Sequence, residues 1–207
     1  MTTTINGTTG VTFPAGGVGN PASAVVGLTD TQTLTNKTLT SPTITGAVIS
    51  TMASSVITAG TAVASTSGTS IDFTSIPSWV KRITVMVNGV STSGTSQVQL
   101  QIGSGSVTTS GYISGAYTGA GTGATSGFIL TNSGATAAAN TLIGTMTLSL
   151  FGSNTWVANG VIYINSANDS FNSGISSALS GALDRVRITT VNGTDTFDAG
   201  SINILYE

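Results

Sequence analysis

Asp195 and Asp198 are the most closely spaced acidic residues in this sequence. Hydrolysis of a glycosidic bond needs two carboxyl groups on either side of the sugar linkage, so this pair is the candidate for such chemistry. The pair follows Asn192-Gly193, a dipeptide typical of turns, and Asp is itself frequent in turns. We therefore favour turn-forming roles for both residues and rank polysaccharide cleavage as a distant alternative.

The side chains that most other kinds of enzyme catalysis require are absent from this sequence. The sequence holds no histidine and no cysteine, which removes the usual general base, the commonest metal ligand and the thiolate nucleophile. The glycine-rich stretch 115–127, which includes Gly119-Ala120-Gly121-Thr122-Gly123, lacks the Lys of a phosphate-binding loop, and we interpret it as a flexible loop. Asn168-Asp169 is only a fragment of a calcium ligand set. We expect a protein that is not an enzyme and that holds no cofactor and no metal.

Aromatic residues next to turns are the candidates for ligand binding. Tyr112 lies just before the glycine-rich stretch and Tyr117 lies within it, and Trp156 follows the turn signal Ser153-Asn154. Sugars dock on aromatic faces that loops present, so these three residues are the predicted contacts for a glycan. The competing interpretation is that large aromatic residues fill the core, and we prefer it for Trp79.

Charge is scarce in this sequence. Charged residues make up 6% of the chain and the net charge is −2. Nucleic acid and anionic lipid both require clustered Lys and Arg, and no apolar run approaches the ~18 residues of a membrane helix. A surface built from Thr, Ser, Asn and Gly favours association between proteins. We expect self-association, no nucleic-acid partner and no membrane insertion.

The composition changes near residue 65, which divides the chain into an N-terminal segment, 1–65, and a head domain, 66–207. The segment holds only two charged residues and neither Tyr nor Trp. Within it, residues 33–47 form a five-residue repeat in which Thr alternates with a large aliphatic residue. The repeating aliphatic positions continue one unit beyond this range and are Leu34, Leu39, Ile44 and Ile49. A period of five fits neither a helix nor a regular strand, and it predicts short extended pieces separated by bends.

Ordering this repeat in a lone chain is unfavourable. Fixing five backbones costs roughly 5–10 kcal/mol, whereas burying one Leu returns about 1.5–3 kcal/mol. Several identical chains wound together would add interchain hydrogen bonds and shared burial. The repeat therefore predicts an extended, intertwined oligomerisation segment, and a flexible Thr-rich linker is the alternative that stays open.

The head domain shows the alternation of short strands. Residues 97–102 alternate Gln with Val, Leu and Ile, and residues 141–151 place Leu and Met opposite Thr and Ser. Further strands are predicted over 80–90, 125–131, 155–164, 183–191 and 201–206, with a turn at Asn88-Gly89 and one or two helical turns within 173–183. The predicted fold class is all-β, an antiparallel β-sandwich of the jelly-roll-like kind behind an extended N-terminal segment.

Three stretches resemble bacteriophage tail-fibre and related virion appendage proteins. They are TINGTTGVTFP at 4–14, LTDTQTLTNKTLTSP at 28–42, and the segment 70–112 that contains IPSWVKRITV. The resemblance implies a place on the outside of the virion and a homotrimer. Residues 1–6 show no basic region followed by an apolar stretch, so we expect synthesis in a bacterial cytoplasm. The resemblance further implies that the N-terminal segment attaches to other virion proteins and that the C-terminal head is a β-sandwich. Our first hypothesis is that loops of this head bind a host cell-surface glycan. A capsid or tail decoration or adaptor protein with no receptor role is the alternative.

Overall fold

The computed structural model describes residues 4–6, 10–12, 57–117, 121–133, 136–165 and 169–207. The chain forms two compact units, Met1–Thr51 and Met52–Glu207. In the first unit, strands β1 (Thr4–Asn6) and β2 (Gly10–Thr12) form an antiparallel pair. The rest of this unit, with the aliphatic repeat positions Leu34, Leu39, Ile44 and Ile49, lies outside the described residues, so the intertwined segment stays a prediction.

In the second unit the described strands form two sheets in which every pairing is antiparallel. The larger sheet contains nine strands: β3 (Thr58–Ala59), β4 (Val63–Ala64), β6 (Arg82–Thr92), β9 (Ile113–Tyr117), β10 (Gly121–Ala124), β12 (Leu142–Gly152), β13 (Thr155–Ile164), β14 (Ser170–Ile175) and β16 (Phe197–Tyr206). The smaller sheet contains five: β5 (Ser70–Phe73), β7 (Val98–Ser104), β8 (Ser106–Val107), β11 (Phe128–Ile129) and β15 (Arg185–Thr190). The large sheet has the order β10-β9-β14-β13-β12-β6-β16-β3, with β4 also on β16, and the small sheet has the order β11-β7-β15-β5, with β8 on β7.

The core lies between the two sheets because their strands direct alternate apolar side chains inward. In the small sheet, Leu100 and Ile102 of β7 point inward and are fully buried. In the large sheet, Met146 and Leu148 of β12 do the same, and the inward residues of both sheets belong to one hydrophobic cluster. The structure confirms the predicted all-β antiparallel sandwich.

Asn88-Gly89 is a bulge within a strand, and the predicted turn at this position is wrong. Strand β6 continues through it to Thr92, and the pairing with β12 shifts register there. Gly89 has a φ of +65°, and Gly200, with a φ of +88°, lies beside it on β16, where the register also shifts. Glycine tolerates this conformation, so the two bulges bend β6 and β16 together without breaking the sheet.

Three further expectations differ from the structure. Strands β9 and β10 occupy part of the glycine-rich stretch that was predicted to be a loop. Residues 176–184 run as irregular backbone, so the predicted helical turns within 173–183 are absent from these described residues. Strands β3 and β4 pair with β16, so the large sheet includes residues that lie before the predicted boundary between the N-terminal segment and the head domain at residue 65.

Candidate functional site

Asp195 and Asp198, the two closely spaced carboxylates, form hydrogen bonds to neighbouring segments of the chain. Asp195 accepts hydrogen bonds from the side-chain amide of Asn192 at 2.7 Å and from the backbone N–H of Ser96 at 2.9 Å. Asp198 accepts one from the hydroxyl of Ser91 on β6. Asp195 thus has the turn-forming role that we favoured, and both carboxylates tie the C-terminal strand to β6 and the segment after it.

Tyr112 is a core residue, which corrects its assignment as a ligand contact. The residue is 1% exposed, and its ring packs edge-on against Phe128 with centroids 5.0 Å apart. Its hydroxyl accepts a hydrogen bond from the Ile102 N–H at 2.9 Å and donates one to the Thr108 carbonyl at 2.9 Å. No face of this ring is open to a sugar.

Trp156 is buried in the core like Tyr112, whereas Trp79 is exposed. Trp156 is 2% exposed in the core, so it too leaves the set of candidate ligand contacts. Trp79, which was predicted to fill the core, is 53% exposed and packs its ring obliquely against Tyr206. Its turn explains the difference: the Val80 N–H bonds to the Pro77 carbonyl, so Trp79 projects outward while Val80 enters the core.

Tyr117 alone among the three predicted ligand contacts is on the surface, and it belongs to a row of apolar side chains. It lies opposite Phe171 of β14, which lies opposite Val161 of β13. Two residues along β13, Tyr163 lies opposite Ile143 of β12. All five side chains point away from the core and are between 42% and 58% exposed. We call this set, Tyr117, Ile143, Val161, Tyr163 and Phe171, the aromatic face.

The strands that carry the aromatic face hold no charged residue. This is true of β9, β10, β12, β13 and β14, which lie side by side in the large sheet. A solvated sheet face normally presents Lys, Glu, Asp and Arg, whereas the centre of a protein–protein interface is enriched in aromatic residues and depleted of charge. A contiguous exposed apolar patch of this kind marks an interaction surface.

Four of the five residues of the aromatic face were missed from the sequence. The signal was available in β13, where Val161-Ile162-Tyr163-Ile164 is apolar on both faces of the strand. A strand that is buried on one face and apolar on the other needs a second partner. Of the five residues, only Tyr117 was predicted from the sequence, because it lies in the glycine-rich stretch.

No group of three or more His, Cys, Asp and Glu side chains that could hold a metal ion occurs among the described residues. The same part of the chain contains no helix long and apolar enough to cross a membrane. Comparisons with protein-family models, with curated proteins and with solved structures found no match.

Proposed function

We propose that this protein is a structural subunit of a bacteriophage particle, of the tail-fibre type, that assembles as a homotrimer. In this proposal the N-terminal segment attaches to other virion proteins, and the sandwich heads pack against one another through the aromatic face. The observation that carries the proposal is that face: five adjacent exposed apolar side chains on strands without charge. The number of copies and the place on the virion come from the resemblance of the segments 4–14, 28–42 and 70–112 to phage appendage proteins.

Phe171 at the centre of the row gives the energetic scale. A free Phe side chain exposes on the order of 200 Å², so 58% exposure leaves roughly 120 Å² to bury. At about 25 cal/mol per Å², covering it contributes about 3 kcal/mol per copy. Loss of that contribution corresponds to a factor of about 100 in a dissociation constant.

The test is the oligomeric mass of the full chain and of two matched variants, measured by native mass spectrometry and sedimentation. Phe171→Ser lies in the aromatic face. Phe151→Ser is the control, because Phe151 is 76% exposed but lies at the far end of β12, about 20 Å from the row of Phe171. We expect a trimer for the natural chain and for Phe151→Ser, and a trimer weakened about 100-fold for Phe171→Ser.

Two outcomes would count against the proposal. If the natural chain stays monomeric at micromolar concentration, the proposed homotrimer is refuted. Equal weakening by both variants would mean that any exposed Phe acts in this way and that the aromatic face is not the interface. Circular dichroism of each variant shows whether the sandwich is intact.

A decoration or adaptor subunit without receptor contact is the second candidate. The burial of Tyr112 and Trp156 favours it, because two of the three residues predicted to meet a glycan are inside the core. The two candidates share the structural role and differ in whether the head binds a ligand. Adsorption of particles to host cells separates them, since a decoration subunit can be altered on its surface without loss of adsorption.

A further inference from the structure

The outward face of the small sheet is a polar groove of about 390 Å³. Two adjacent rows of side chains run across strands β5, β15 and β7 there, because the strand register pairs one residue of each strand in each row. One row is Ser70, Thr189 and Gln99, and the next is Asp72, Arg187 and Gln101. We call these six residues the polar array; Thr109, Ser126 and Asn192 line the groove beside it.

Two glutamines form the floor of the groove although they lie on the outer side of the sheet. Gln99 and Gln101 are 2% and 5% exposed. Ser126 secures both: its hydroxyl donates to the Gln99 side-chain oxygen at 2.7 Å, and its carbonyl accepts from the Gln101 amide at 2.8 Å. The Gln99 amide also reaches the Thr190 carbonyl at 3.4 Å. One N–H of each amide and the side-chain oxygen of Gln101 have no protein partner among the described residues.

Arg187 and Asp72 complete the array as a two-pronged ion pair. The Arg187 Nε donates to one carboxylate oxygen at 2.7 Å and its terminal nitrogen donates to the other at 3.1 Å. Both side chains are more than a third exposed, and Arg187 lines the groove, whereas Asp72 holds the guanidinium and also accepts a hydrogen bond from the Ser70 hydroxyl at 3.0 Å. The pair is neutral, and the array offers both donors and acceptors without a surplus of charge.

We infer that this groove binds a neutral oligosaccharide. Each sugar hydroxyl both donates and accepts a hydrogen bond, which suits planar amides next to a guanidinium–carboxylate pair. A phosphate or sulfate would need an unpaired cation, and an apolar ligand would need more than the single Val191 of the lining. The inference deepens the proposed function, since it assigns the glycan contact of a tail-fibre head to a surface away from Tyr117.

The three grooves of one trimer would act together. The groove has no aromatic residue in its lining, so the sugar has no ring to stack on and each site binds weakly. Linked sites raise the overall affinity by a factor on the order of 10²–10⁴ when a repeating polysaccharide spans them. The trimer and the groove are therefore complementary parts of one adhesive device.

The test uses the full-length protein on immobilised oligosaccharides of glucose, galactose, mannose and N-acetylglucosamine, with sialylated and phosphorylated oligosaccharides beside them. Arg187→Ala and Gln101→Ala alter the array, and Arg82→Ala is the matched control, because Arg82 is an exposed cation paired with Glu207 at another place. We expect binding to a neutral oligosaccharide that falls about tenfold or more in the two array variants and is unchanged in the control.

The native mass of each sample is recorded at the same time, which separates the two proposals. A trimer that binds no neutral oligosaccharide overturns the groove inference and leaves the structural role in place. A monomer that binds, with loss in both array variants, overturns the trimer and supports the groove. Binding that survives in Arg187→Ala and Gln101→Ala, or that is confined to the acidic oligosaccharides, refutes the assignment. Because Gln101 is buried, Arg187→Ala decides the outcome if Gln101→Ala fails to fold.

Discussion

Replacing Tyr112 with Phe removes one hydroxyl from the core and keeps the ring against Phe128. The hydroxyl accepts the hydrogen bond of the Ile102 N–H, so in Tyr112→Phe that buried N–H has no acceptor, and the Thr108 carbonyl loses a donor. An unsatisfied buried backbone group costs about 1–3 kcal/mol. We expect the free energy of unfolding to fall by about that amount in a denaturant titration at neutral pH.

The same variant changes the response to alkali. Burial raises the pKa of Tyr112 to about 12, from an ordinary value of 10.0. The stability linked to its neutral phenol is complete below pH 10, where the unfolded chain begins to ionise, and is lost as the pH rises through about 12. Two units of pKa correspond to roughly 3 kcal/mol, so Tyr112→Phe removes an alkaline loss of up to that size.

Tyr117→Phe is the control for both measurements. Tyr117 is 55% exposed, and its hydroxyl has no partner among the described residues, so its removal leaves no buried group unpaired. We expect a change within about 0.5 kcal/mol. Equal stabilities of the two variants, or an unaltered alkaline loss in Tyr112→Phe, would refute the account of Tyr112 as a core residue that satisfies the β7 backbone.

Three other outcomes follow from single residues. Gly200→Ala should destabilise more than Gly105→Ala in thermal unfolding, because a Cβ at Gly200 meets the backbone of Gly89 at 2.5 Å, whereas one at Gly105 meets nothing within 4 Å and costs only the about 1–2 kcal/mol of the left-handed conformation. A hydrogen bond from the Arg185 side chain lowers the pKa of Asp184 below its ordinary 3.8. The stability that this carboxylate contributes is therefore present above pH 3.8 and is lost as the pH falls through the lower pKa of the folded state. Asp184→Asn should reduce this loss of stability at acid pH when the free energy of unfolding is measured over a pH series. The chain has no histidine, so oligomeric mass should stay constant between pH 6 and pH 8, and a sharp dissociation there would contradict this.

Strands with a strict two-residue alternation were predictable from the sequence because one face is wholly apolar. Strands β7 and β12 lie where the alternation placed them, and β13 matches the strand predicted over 155–164. The turn signal Ser153-Asn154 is also correct: both residues have positive φ, at 47° and 59°, and they join β12 to β13. Strong local patterns are therefore sufficient to predict these elements from the sequence.

Other elements depend on neighbours that the sequence does not show. Strands β9 and β14 are rich in Gly and Ser, so their own propensity is weak and pairing with each other and with β13 makes them strands. Asn88-Gly89 has the composition of a turn, but the matching bulge at Gly200 on the adjacent strand lets β6 continue. The location of each aromatic residue likewise depends on tertiary structure: Tyr112 and Trp156 point inward from their backbone positions, and Trp79 points outward.

The outward faces of the two sheets differ in kind, and the difference allows their roles to be separated. The large sheet presents apolar rings on strands without charge, and the small sheet presents amides, hydroxyls and one neutral ion pair. The core separates the two faces, so changes at Phe171 and Arg187 share no contact and their effects on the intact domain should be independent. A particle with Arg187→Ala heads that assembles normally and fails to adsorb would support the tail-fibre role. A particle that adsorbs normally would leave the head as a decoration subunit, because its trimer would then serve assembly alone.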